Sequence, residues 1–89
     1  MDKNKIALAS LAMDLKRVAM SYHRGSFAVA NRFFDEALKR RSEINKATLK
    51  PYLVSLLKDM DNLKTEQDDM KKAEDALLYS TLFQNAALK

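Results

Sequence analysis

One glycine and one proline in 89 residues constrain this chain more than any other feature of it. Strands and hairpins need turn-forming residues at short intervals, and here only Gly25 and Pro51 supply them. What remains is long helices. Composition agrees, since 47% hydrophobic and 31% charged residues suit a packed helical protein and are too apolar for disorder. The length implies a single domain over residues 1–89, small enough to bury only roughly 60–65% of the surface its unfolded form exposes.

The first helix is expected over about residues 3–23. Leu8, Leu11, Leu15, Val18 and Tyr22 recur at steps of three and four and so share a face. Ile6, Ala9, Met13 and Met20 widen that stripe, leaving Ser10, Asp14, Arg17 and Ser21 as a narrow polar edge. So broad an apolar arc places this helix between two neighbours. Gly25 ends it, because glycine takes positive φ without steric cost, and Ser26 is placed to cap the next helix.

The second helix spans about 27–44, with Phe27, Ala30, Phe34, Ala37 and Ile44 facing inward. A turn this short makes the first two helices antiparallel neighbours. Thr48 and Pro51 open a third helix over 49–63, whose stripe is Leu49, Leu53, Leu56, Met60 and Leu63. A fourth covers 66–88. Thr65, followed by Glu66, Gln67, Asp68 and Asp69, reads as a capped, acid-rich helix start. Leu56, Leu63, Met70 and Leu77 nevertheless stay in phase at steps of seven, so one kinked helix is the alternative. The fold class is therefore all-α: an up-down bundle of three to four antiparallel helices.

From Ala76 to Leu88 apolar residues reach nearly every side of the last helix. A helix apolar all round must be covered on more than one side. Leu78, Tyr79, Leu82, Phe83 and Leu88 are thus the candidate partner-binding residues, and a homo-oligomer or a docked partner helix is the expected use.

The stretch from Gly25 through Phe27, Ala30, Phe34 and Ala37 to Leu38 resembles the second half of a tetratricopeptide repeat. Glycine makes the turn, the small alanines let two helices approach, and the aromatics fill the space between them. The same hairpin occurs in microtubule-interacting-and-trafficking (MIT) domains, single three-helix bundles of about this size. No second copy of the pattern is present, so the MIT-like bundle fits better than a solenoid. Residues 6–63 would supply its three helices, with 66–88 as an addition. The resemblance implies a module that binds short helical peptides between its helices.

Chemistry is sparsely represented. Cysteine is absent and His23 is the one histidine, so no metal site or cofactor is expected. No glycine-rich phosphate loop is possible with Gly25 alone. Arg17 and His23 resemble the Arg–His ribonuclease pair of the HEPN domains, also small helical bundles. The simpler reading is a histidine placed where a partly cationic ring suits a helix C-terminus.

Charge is uneven: residues 1–50 hold eleven Lys/Arg against five Asp/Glu, and residues 51–89 hold five against seven. Lys39, Arg40, Arg41, Lys46 and Lys50 form a basic cluster that could meet nucleic-acid phosphates. No aromatic is interleaved among them, so stacking on single strands is not supported. Residues 6–13 (IALASLAM) are cut off by Asp14, Lys16 and Arg17 before a cleavage pattern, and no apolar run approaches the ~18 residues of a membrane span. A soluble, cytoplasmic, non-enzymatic interaction module is the leading expectation. A nucleic-acid-associated protein and a HEPN-like ribonuclease are the alternatives.

Overall fold

A computed structural model describes residues 3–89. The helices are α1 (Lys3–His23), α2 (Phe27–Ser42), α3 (Pro51–Asp59), the short α4 (Asn62–Thr65) and α5 (Asp69–Leu88), with one 3₁₀ turn at Lys46–Thr48 before α3. No strand occurs among the described residues, and the all-helical bundle measures 36 × 21 × 20 Å.

The α1–α2 turn is built by Gly25. Its φ of +75° lets the amides of Gly25 and Ser26 reach back to the carbonyls of Tyr22 (3.1 Å) and Ser21 (2.9 Å), satisfying the end of α1. Ser26 does not cap α2 with its side chain. Its amide is already drawn back to α1, and its carbonyl accepts from Ala30 at 2.9 Å instead. α2 stops at Ser42, short of the expected residue 44, because the Glu43 and Ile44 amides tighten onto Arg40 and Arg41.

Three hydrogen bonds of the Asn4 side chain tie the next connection to the start of α1. Asn4 donates to the Asn45 carbonyl (2.9 Å) and to Thr48 Oγ1 (2.8 Å), and its own Oδ1 accepts from the Asn45 amide (3.0 Å). Asn45, not Thr48, is the capping residue here: it opens the 3₁₀ turn by accepting from the Ala47 amide at 3.1 Å. α3 begins at Pro51, in the first turn, where a missing N–H leaves nothing unpaired.

The expected third helix divides at Met60–Asp61, and a full break separates α4 from α5. Glu66 is extended, and Asp68 caps α5 by accepting from the amides of Met70 (3.0 Å) and Lys71 (3.3 Å). The seven-residue phase of Leu56 to Leu77 does not carry a continuous helix. Thr65 is not the cap, since its hydroxyl turns back to the Asn62 carbonyl at 3.3 Å.

α1 lies between α2 and α5, as its broad arc implies, and runs antiparallel to both. Leu8, Leu11, Leu15 and Val18 face a core completed by Leu53, Leu57, Met60, Leu63 and Phe83. The α1–α5 seam is made of small residues: Ala12 and Ala19 on one side, Ala73, Ala76 and Ser80 on the other, all buried. Their size allows close approach, and Ser80 donates to the Ala12 carbonyl at 2.7 Å across it.

Having a neighbour on each side rotates the buried arc of α1 away from the expected one. Asp14 and Ser21, read as a polar edge, are buried at 7% and 6% exposure where α2 packs. Ile6, Met13 and Met20, read as core, are half exposed on the outward side. Phe27 likewise does not fill the space between α1 and α2: it is 47% exposed, with its ring tilted against Tyr22 at 5.9 Å.

Candidate interaction surface

α5 spends much of its apolar surface inside the bundle. Phe83 is fully buried and is removed from the expected docking residues. Tyr79 and Leu82 are half-buried, with Tyr79 packed on the core and its phenol pushed above its ordinary pKa by burial. Leu78 and Leu88 are exposed, but their ten-residue separation turns them about 80° apart on the helix, so they form no common patch. The five expected residues therefore do not converge.

A different apolar face does form, and it spans two helices. Ile6, Met13 and Met20 recur at steps of seven along the outer side of α1, at 50%, 50% and 44% exposure. Met70, Leu77 and Leu88 recur at seven and eleven along one side of α5 and are also exposed. Met13 and Leu77 line one open groove between the helices, about 360 Å³ in volume, with Ala12 and Ser80 at its base. Thr81, Gln84 and Asn85 add neutral polar groups, and Lys16 is the one charged side chain lining it. Arg17 flanks the α1 row on its other side, its guanidinium 5.6 Å from the centre of the Phe33 ring.

Periodicity alone assigns Met13 and Met20 to the core and gives Leu77 no role at the surface. The signal that could have placed them is the pairing of Ala12 with Ala19 and of Ala73 with Ala76 and Ser80. Small residues at helical repeats mark the seam, and the larger apolar residues one position away then fall outside it.

The basic cluster is divided. Lys39, Lys46 and Lys50 are exposed, but Arg40 and Arg41 point to different neighbours. Arg41 donates to the Leu57 carbonyl and to Asp61, each at 2.9 Å, closing the end of α3. This hydrogen bond, with the nearby guanidinium charge, holds the Asp61 carboxyl below its ordinary range. Arg40 turns toward α1, with Nε 4.0 Å from Asp14 Oδ2 and a terminal nitrogen 3.4 Å from Glu43. The five residues thus offer no single cationic surface.

Asp14 is the one acid buried among the described residues. Arg17 stands 3.7 Å from Oδ1, yet Oδ2 and the Arg40 Nε are both buried without a hydrogen-bond partner. Burial raises its pKa; the two arginines pull it back and Glu36 adds to the rise.

Arg17 and His23 are not assembled into a pair. Six residues along α1 turn them about 120° apart, Arg17 stacks on Phe33, and His23 is exposed at the helix end. No group of three or more His, Cys, Asp or Glu suited to a metal occurs among the described residues, and no described helix is long and apolar enough to cross a membrane. Comparison of the chain with family models, with curated proteins and with solved structures returned no match.

Proposed function

We propose that this chain is a non-enzymatic helical interaction module that docks an amphipathic helix along the α1–α5 groove. The observation that carries the reading is the groove in which Met13 meets Leu77, with Ile6 and Met20 half exposed seven residues to either side of Met13 along α1. Apolar residues exposed singly are ordinary; an apolar row on one helix that meets a leucine of the next across a groove is a surface that water covers at a cost. The α1 row is about 21 Å long, which matches about four turns of a docked helix. Methionine suits such a surface because its unbranched side chain repacks around different partners.

Charge selects the partner's character. Lys16 on one side of the row and Arg17 on the other favour a helix whose apolar stripe is bordered by Asp or Glu. A second copy of the chain would bring the same basic border against itself in a two-fold contact, which is less favourable.

The test uses two synthetic amphipathic helices with the same leucine stripe, one bordered by glutamate and one by lysine. Fluorescence anisotropy should detect binding of the glutamate helix, at least about tenfold weaker for the lysine helix and for the Met13→Glu and Leu77→Glu variants, a loss of about 1.4 kcal/mol. Equal binding of both helices, or binding unchanged by the variants, overturns the proposal. A dimer in sedimentation that Met13→Glu dissociates would make a second copy the occupant instead.

A further inference from the structure

Where the start of α1, the beginning of α3 and the end of α5 meet, the surface opens into a cavity of about 190 Å³. Its floor is apolar: Leu8 and Leu53 are buried in the core beneath it, and Leu49 and Ala86 are half-buried beside them. Three lysines from three different segments, Lys5, Lys50 and Lys89, stand around it. No acidic side chain lines it, and none of the three lysines forms an ion pair with a described carboxylate. Arg17, Arg40, Arg41, Lys64 and Lys71, by contrast, each stand within ion-pair distance of a carboxylate. One wall is held by the Asn4 bonds to Asn45 and Thr48, so the cavity is built by tertiary contacts and not by a single helix end.

We propose that this cavity binds a small amphipathic anion, a carboxylate or phosphate head on a short acyl or ring-sized apolar body. Lys5 and Lys50 bring positive charge to the rim of an apolar floor with no acidic side chain beside them, and a negative head placed there gains their attraction. The apolar body takes the floor, and a cavity of about 150 Å³ already accommodates a benzene-sized group. Head and body must therefore act together. The cavity shares no lining residue with the α1–α5 groove, so this site and the helix-docking surface stand or fall separately.

The probes are hexanoate and hexyl phosphate, with hexanol as the body alone and inorganic phosphate as the head alone. Titrations of the full chain, followed by methyl NMR, should shift the Leu8, Leu49 and Leu53 signals with hexanoate or hexyl phosphate. Which of the two binds more tightly identifies the head. Hexanol and phosphate should each bind at least about tenfold more weakly, and Lys5→Gln with Lys50→Gln should weaken both amphiphiles by a similar factor. Both lysines are exposed, so the double variant is expected to keep the wild-type fold, checked by its spectrum. Shifts centred on other methyls, hexanol binding as well as hexanoate, or affinity indifferent to the lysines would each overturn the proposal.

Discussion

Asp14 and Asp61 are both acids beside arginines, and their environments push them in opposite directions. Burial raises the pKa of Asp14, so the folded state holds its proton more tightly than the unfolded chain. Its contribution to stability is therefore complete below the ordinary carboxyl value of 3.8 and is lost as pH rises through the folded value. Asp61 behaves the other way: Arg41 lowers its pKa, so its contribution is present above 3.8 and is lost as pH falls through the folded value. Urea unfolding between about pH 3 and 7 separates the two. Relative to wild type, Asp14→Asn should gain stability as pH rises, and Asp61→Asn should lose it. Gly25 supplies a second test at this scale. A Cβ there would meet nothing within 4 Å, so Gly25→Ala carries only the strain of φ +75°. We expect a loss of about 1–2 kcal/mol, smaller for Gly25→Asn, read from denaturant midpoints.

Elements end where a side chain or a backbone reach-back satisfies them, and that explains which boundaries were legible. Gly25 announces the α1–α2 turn, because few residues can take its conformation, and the end of α1 comes directly from it. The later boundaries depend on which of several polar residues wins the cap. Thr48 and Thr65 have the right chemistry, but Asn45 and Asp68 hold the geometry. The end of α3 depends on Arg41, sixteen residues earlier in the chain, whose bond to the Leu57 carbonyl no local pattern reveals. Arg41→Met should remove that charged hydrogen bond, at a cost of about 2 kcal/mol, and fray α3 first. Hydrogen exchange at Met60 and Asp61 would report it before the core opens. The candidate surface was less legible than the fold. Periodicity gives a helix its apolar side but not where two neighbours will sit, and α1 turned Asp14 inward and Met13 outward on that account.

At the scale of the whole molecule, α1 is the element on which the bundle is assembled. Leu11 and Leu15 are fully buried at its centre, in one core with the equally buried Leu57 of α3. Leu11→Ala should cost about 2–5 kcal/mol, a large part of the stability of so small a domain, and should lower the thermal midpoint accordingly. By contrast Ser80→Ala, which deletes the bond across the α1–α5 seam, should cost about 1 kcal/mol or less. The Ala12 carbonyl keeps its place in the helix ladder, and alanine fits the same space. Comparing the two in one denaturation series distinguishes packing from hydrogen bonding as the source of cohesion.

That seam also sets a timetable. Ser80 and Ala12 are 68 residues apart, so a ribosome releases α1 and α2 well before anything exists to cover the other side of α1. The early hairpin carries Ala12, Ala19 and its leucines bare to water or to whatever attends the nascent chain. Folding then waits on a long-range closure that only α5 can make. In a chain halted after Asp68, α1 should stay dynamic and protease-sensitive. The twenty residues of α5 thus decide whether the twenty-one of α1, made first, hold their shape.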